Sequence, residues 1–199
     1  MPLNPLSDWV GDDSPGAMAL GFDRERHSNC SEILWQNLTR NPDKLALIGP
    51  AGAVTYRELI REASRWGRAL AEFGLRPQER VVFFLDDTPV YAAGVFGAVR
   101  AGFVPVLLNT QTNADTLAYF LQDTEARVVI CESAMSEAFT EEVLVGTSVE
   151  RVVIANGHAR EPRQVSAKDF LVSRDDRLPA AATDANDMAF WMYSSGTTG

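Results

Sequence analysis

Apolar positions in the middle of the chain fall into short unbroken runs. Arg80–Leu85, Val104–Leu108, Arg127–Cys131 and Arg151–Ala155 are rich in Val, Ile, Phe and Leu and start at nearly even intervals. A strand that is apolar at consecutive positions is buried on both faces, as strands of a parallel sheet are. Between the runs lie stretches with helical spacing: Pro89–Ala101, Asn113–Asp123, and Ser133 to about Val145. Alternation of β and α units predicts an α/β fold with a doubly wound, mainly parallel sheet flanked by helices and right-handed crossovers. Ala92, Ala93, Gly94, Gly97 and Ala98 predict that the helix from Pro89 packs closely on that sheet, and its glycines leave its stability to tertiary contacts.

Upstream, a helix is expected from a cap at Asn29 or Ser31, with Ile33, Leu34, Asn37 and Leu38 at helical spacing, ending at Asn41-Pro42. Leu45–Ile48 and Val54–Tyr56, joined through Gly49-Pro50-Ala51-Gly52, predict a hairpin. Thr55-Tyr56-Arg57-Glu58 reads as a capping box, in which Thr55 accepts a first-turn N–H and Glu58 reaches back. The following helix should run to about Phe73, with Leu59, Ala63, Trp66, Leu70 and Phe73 as its apolar stripe and Gly74 as its stop. Residues 1–28 read as an irregular arm with Trp9 and Phe22 as anchors. Residues 29–185 form an α/β subdomain. Within it, 156–185 is a charged link with a short helix at Ser166–Val172, and Pro179–Asp187 reads as a spacer. Residues 186–199 hold a strand and a loop that open the next subdomain.

That last stretch carries the chemistry. Met188-Ala189-Phe190-Trp191 runs into Met192-Tyr193-Ser194-Ser195-Gly196-Thr197-Thr198-Gly199, which reads as a buried strand delivering a flexible polar loop. Glycines let backbone N–H groups turn toward an anion, and Ser and Thr hydroxyls add short rotatable donors. The combination suits a polyphosphate; the plain alternative is a Ser/Thr/Gly linker at a frayed end. It is not a Walker A loop, because no Lys follows Gly196 or Gly199, and Gly-x-Gly-x-x-Gly is missing.

Net charge of −9 argues against nucleic acid and anionic membrane surfaces as partners, though a local backbone nest can still hold an anionic nucleotide. Cys30 and Cys131 make no disulfide framework or metal spacing and read as free thiols. No basic-then-apolar leader is visible. The longest apolar stretch, Tyr91 to Leu108, is broken by Arg100 and Pro105, so a cytoplasmic location is expected. Asp86-Asp87 follows the first strand of the rhythm, where open α/β sheets place ligands. The pair reads first as a turn and helix cap ahead of Thr88-Pro89 and second as a Mg2+ site. The cluster Asn109-Thr110-Gln111-Thr112-Asn113 reads first as a helix cap and second as the lining of a ligand crevice. His27 and His158 read as surface residues, and Arg100 as a solvated helix end favoured by the dipole.

Tyr193 to Gly199 resembles the phosphate loop of the adenylate-forming ligases, which reads Tyr-Ser/Thr-Ser-Gly-Thr/Ser-Thr-Gly; all seven positions fit. Five specified residues of this abundance recur by chance about once per million positions. Thr55-Tyr56-x-Glu58-Leu59 opening a long helix is a second landmark of the family. Thr88-Pro89, Gly97-Ala98-Val99-Arg100-Ala101-Gly102-Phe103-Val104-Pro105-Val106 and Asn109-Thr110 resemble its benzoate–CoA ligase branch, as does Phe190-Trp191-Met192-Tyr193. The resemblance runs from about residue 29 to 199. It implies the N-terminal portion of an AMP-forming acyl-CoA synthetase that uses ATP, Mg2+ and CoA on a carboxylic acid, benzoate or a substituted benzoate. A fatty-acyl or luciferase-like acid is the alternative substrate. Ser194, Ser195, Gly196, Thr197, Thr198 and Gly199 would hold the β- and γ-phosphates. No catalytic residue is expected within the 199, because the family's loop lysine, adenine and ribose contacts and C-terminal catalytic lysine come later, so the piece alone should be inactive. A reading from another class is a non-catalytic module that self-associates, as a homodimer, through a strand left bare at 188–193.

Overall fold

A computed structural model describes residues 29–50, 52–171 and 176–194. The expected arm with Trp9, Phe22 and His27, and the loop residues Ser195 to Gly199, lie outside the described residues. The first helical stretch is divided into α1 (Glu32–Trp35) and α2 (Asn37–Arg40). Asn29, rather than Ser31, supplies the side-chain bond at its start: Asn29 Oδ1 accepts the Ser31 N–H at 3.1 Å. Strands β1 (Leu45–Gly49) and β2 (Gly52–Thr55) form the expected hairpin, with a bulge between Leu45 and Leu47. Helix α3 (Tyr56–Glu72) begins with the reciprocal capping box, Glu58 N–H to Thr55 Oγ1 at 3.3 Å and Thr55 N–H to Glu58 Oε2 at 2.9 Å. It ends at Glu72, two residues before Gly74, whose φ of +92° only glycine adopts readily.

The rhythm of apolar runs becomes one sheet. Strands β3 (Arg80–Phe84), β4 (Val104–Leu107), β5 (Val128–Glu132), β6 (Arg151–Ala155), β7 (Gln164–Ser166) and β8 (Trp191–Met192) lie in the order β7-β6-β5-β3-β4-β8, every neighbouring pair parallel. Helix α4 (Pro89–Arg100) joins β3 to β4, and α5 (Ala114–Thr124) joins β4 to β5. The chain therefore adds β4 on one side of β3 and then returns to add β5 on the other.

Alternate side chains of the same strands feed two cores. Val81, Phe83, Val128, Ile130 and Val153 pack with Leu59, Ile60, Ala63, Trp66 and Leu70 of α3. Val82, Phe84, Val106, Val129, Cys131, Val152 and Ile154 pack with Leu117 and Leu121 of α5 and with Phe139 and Leu144. Burying each such Val, Ile, Leu or Phe is worth about 1.5–3 kcal/mol, so the doubly covered strands hold the sheet together.

The expected helix 133–145 is instead a 3-10 segment (Ser133–Ala138) and a one-turn helix α6 (Glu141–Leu144). Phe139 turns fully into the core between them, and Thr140 recaps, accepting the Val143 N–H. Strand β7 went unforeseen, because three residues reading Gln-Val-Ser carry no apolar run. It leads into α7 (Ala167–Phe170), where Ser166 accepts the Asp169 N–H at 3.1 Å as expected; the expected helix end at Val172 lies outside the described residues. Small residues of α4 serve two neighbours, Gly94 facing Phe83 of the sheet and Gly97 facing the backbone of α3.

Candidate functional site

Ligands of open α/β sheets bind beyond the carboxyl ends of the strands. At that edge the structure gathers polar side chains from several connections. Strand β3 ends in Asp86-Asp87-Thr88. Asp86 Oδ1 accepts from Thr110 Oγ1 at 3.1 Å, tying the β3 exit to the β4 exit. Thr88 caps α4, accepting the Tyr91 N–H at 3.4 Å, and its hydroxyl donates to Glu132 Oε1 at 3.3 Å. Glu132 Oε2 also accepts from Asn156 Nδ2 at 3.4 Å, which extends the line to the β6 exit. The first reading of Asn109–Asn113 as a cap therefore fits, and that of Asp86-Asp87 fits as a turn but not as a helix cap, because the Thr88 hydroxyl takes the first-turn N–H instead. Thr88 N–H donates to the Asp86 carbonyl, and Asn113 Oδ1 accepts the Thr116 N–H at 2.9 Å. Asn109 Oδ1 accepts the Gln111 N–H, shaping the bend before that cap. Burial, with the negative charge of Asp87 added, pushes the Tyr91 phenol up. No group of three or more His, Cys, Asp or Glu able to hold a metal ion occurs among the described residues.

The apolar run before the hydroxyl loop enters the sheet only as β8, pairing Val106 with Trp191 and Leu107 with Met192. It was expected to be a buried strand. Met188, Phe190 and Met192 are instead exposed, because among the described residues β8 is the outer strand and its far side is uncovered. Being parallel to β4, it releases Tyr193 and Ser194 at the edge where Leu108–Thr110 leave. Tyr193 is fixed there. Its ring stacks on Phe120 of α5 with centroids 3.8 Å apart, and its hydroxyl donates to Asp123 Oδ2 at 2.6 Å. Burial first, then the bond to Asp123, raises its pKa well above that of an ordinary phenol, so it stays a neutral donor. Ser194 follows, exposed; of the six expected phosphate contacts it alone lies within the described residues. The anchor on Phe120 and Asp123 escaped the sequence reading, since nothing but folding brings α5 beside residue 193.

Two expectations away from this edge resolve differently. His158 is exposed, as expected. Arg100 is not a solvated helix end: it is 1% exposed. Its guanidinium pairs with Glu32, lies 4.7 Å over the Trp35 ring and donates through Nε to the Leu178 carbonyl at 3.1 Å. Segment 176–189 is likewise no free spacer. It lies as a strap held by Arg68 Nη2 on the Arg177 carbonyl (2.6 Å), by the Ala181 N–H on the Arg100 carbonyl (2.8 Å), and by the Met188 N–H on Gln78 Oε1 (3.0 Å).

A cavity of about 680 Å3 opens at the opposite, amino-terminal edge, lined in part by Arg76, Arg80, Arg127, Glu79, Glu125 and Glu150. Its cations are already met: Arg127 by Glu150 at 2.6 Å and Glu79 at 3.2 Å, Arg80 by Glu125 at 3.0 Å, and Arg76 by Glu79 at 2.9 Å. These pairs brace the starts of β3, β5 and β6 and leave little spare positive charge for an anion.

Comparison with known proteins adds to this geometry. The family described as AMP-binding enzyme matches residues 34–199. A 4-hydroxybenzoate–CoA/benzoate–CoA ligase of Rhodopseudomonas palustris is 39% identical over 156 residues, covering 78% of this chain and 29% of its own length. The crystal structure of an anthranilate CoA ligase in complex with anthranoyl-AMP superposes with a TM-score of 0.82 at 30% identity, covering 87% of this chain and 33% of that one. A benzoate CoA ligase of Burkholderia xenovorans LB400 gives 0.73 at 30% identity, covering 83% and 32%. The chain thus spans about a third of the length of the proteins it matches.

Proposed function

Because the chain belongs to the AMP-binding enzyme family, we propose that it is the N-terminal portion of an ATP-dependent, AMP-forming carboxylate–CoA ligase acting on benzoate or a substituted benzoate. One observation carries the reading. A strand docked on β4 brings Tyr193-Ser194 to the ligand-binding edge of a parallel sheet, and the residues that follow are hydroxyls and glycines. The aromatic substrate is supported by what the similar proteins are named for.

The chemistry runs in two steps. A carboxylate oxygen attacks the α-phosphorus of ATP; the bond to the β-phosphate oxygen breaks, and pyrophosphate leaves. The CoA thiol then adds to the acyl carbon, AMP departs with the bonding pair, and the thiol proton passes to solvent. The chain's own part is to hold the β- and γ-phosphates through Ser194, Ser195, Gly196, Thr197, Thr198 and Gly199, fixing the α-phosphorus for attack and offsetting charge on the leaving group. Mg2+ bound to the nucleotide would supply charge screening for its phosphates. In this reading the 199 residues alone form no acyl-CoA. The test is acid-dependent exchange of pyrophosphate into ATP by the product of the longer reading frame. Benzoate or a hydroxybenzoate should drive it better than hexanoate; exchange with hexanoate alone would assign a fatty acid, and none with any acid would defeat the ligase reading.

Self-association of the 199-residue chain is a second reading, favoured by the exposure of Phe190 (55%) and Met192 (61%) on and beside the outer strand. Sedimentation should show a dimer that Met192→Lys dissolves; a monomer at high concentration would refute it.

A further inference from the structure

We propose that Arg100 is a positioning residue for the phosphate loop: it anchors the strap that sets the register of β8. Its consequence for catalysis rests on the function proposed above, but the anchoring itself stands on geometry alone. A buried guanidinium is costly unless paired and hydrogen-bonded, and a charge that merely met the helix dipole would do so at the surface. Arg100 is instead enclosed. Glu32 and Ser31 meet one end of its fork, the Trp35 ring covers its face, and Nε reaches across to the Leu178 carbonyl. Its own carbonyl accepts the Ala181 N–H, so one residue grips the strap at two points three positions apart. The neighbouring turn is shaped to match. Gly102 has φ +81°, and a Cβ there would come within 2.8 Å of Ala181 Cβ.

Strand β8 needs such help, because it has only two ladder pairs and an uncovered far side. So short a strand does not hold its own register. At its far end Tyr193 is locked on Phe120 and Asp123; at its near end the strap is clipped by Gln78 and, further back, by Arg100. A slip of one residue would move the loop about 3.3 Å and turn Tyr193 away from Asp123. Misplacement of about 1 Å can already cost a hundredfold in rate.

Residue-resolved amide exchange on the 199-residue chain without nucleotide tests this, so its outcome does not depend on whether ATP binds. Arg100→Met should speed exchange at Ala181 and at Trp191 to Tyr193 at least tenfold and leave Val128–Glu132 and Arg151–Ala155 within twofold. Arg100→Lys, which keeps the charge beside Glu32 but lacks the fork that also reaches Leu178, should fall between wild type and Arg100→Met. Acceleration by one common factor throughout would mean a general stability role and overturn the proposal, as would unchanged exchange at Trp191 and Met192. Gln78→Gly, whose glycine suits the φ of +65° there, removes the second clip without disturbing the core. It should speed exchange at Met188 to Met192 at least tenfold while Ala181 stays protected, and no change at Trp191 and Met192 would equally overturn the proposal, even if Arg100→Met fails to fold.

Discussion

Gly97→Ala should destabilise the chain although alanine is the better helix former. In a free helix the change gains about 1 kcal/mol. Here α4 lies against α3 with no room for a methyl group. A Cβ at Gly97 would press into the Ala63 carbonyl oxygen and sit 2.9 Å from the Gly67 nitrogen. Both are main-chain atoms of a helix whose apolar stripe is locked into the core by Leu59, Trp66 and Leu70, so neither can swing aside. Carbon contacts relax only near 3.5 Å or more, and the helices would have to separate by roughly that shortfall along their shared length. Forced insertion of a methylene-sized group costs about 1–3 kcal/mol in well-packed cores. With two main-chain contacts the upper end applies, and after the propensity gain the net loss should be about 1–2 kcal/mol. Urea unfolding followed by tryptophan fluorescence would show it as a midpoint lowered by roughly 0.5–1 M at unchanged slope. Gly49→Ala, where a Cβ meets nothing within 4 Å, should stay within about 0.5 kcal/mol of wild type. A Gly97→Ala chain as stable as wild type would refute the close-packing argument, and with it the claim that α4 is rigid enough to present Arg100.

Thr55→Ala removes the acceptor of the capping box and should cost about 1 kcal/mol in the same assay. A thiol reagent at neutral pH should label Cys30 in the folded chain and reach Cys131 only on unfolding. Burial, with Glu132 adding, pushes the Cys131 thiol up to about 12; partial burial pushes the Cys30 thiol up as well, but Cys30 stays exposed to the reagent. Burial raises the Glu79 carboxyl, but the Arg76 N–H, the Arg76 side chain and Arg127 outweigh it and hold it below the ordinary 4.5; the Arg127 bond lowers Glu150 likewise. Carboxylates depressed in this way contribute stability that is complete above the ordinary value and is lost as pH falls through the folded one. Glu79→Gln should therefore flatten the acid limb of stability below about pH 4.5, and an unchanged limb would count against the brace. Tyr193→Phe keeps the stack on Phe120 and loses the bond to Asp123, at about 1–2 kcal/mol locally, read as faster amide exchange in β8.

Much of the fold was legible because two-sided burial writes itself into consecutive apolar letters. The runs at 80, 104, 127 and 151 each became a parallel strand, and the capping residues with local partners, Thr55, Asn113 and Ser166, act as their spacing implied. What failed depended on distant neighbours. Arg100 looked solvated because its ring and carboxylate partners sit some 65 residues earlier and its carbonyl partner nearly 80 later. Pro179–Asp187 looked idle because its hold on the body uses main-chain atoms, which leave no trace in side-chain letters. The run at 188–192 was apolar without being buried, and composition alone does not distinguish a doubly covered strand from an outer one. At the candidate site only Ser194 of the expected loop contacts lies within the described residues, and the fastening of Tyr193 by Phe120 and Asp123 left no trace in the letters around residue 193.

The central claim is that the hydroxyl loop beginning at Ser194 receives the triphosphate. The most direct measurement is an NMR titration of the isotopically labelled 199-residue chain with Mg2+ and ATP at millimolar concentrations. The amides of Tyr193 to Gly199 should shift most, followed by those of Leu108 to Thr110, while Arg76 to Arg80 and Arg127 stay still. Largest shifts at that amino-terminal cavity, or none in the loop, would contradict it.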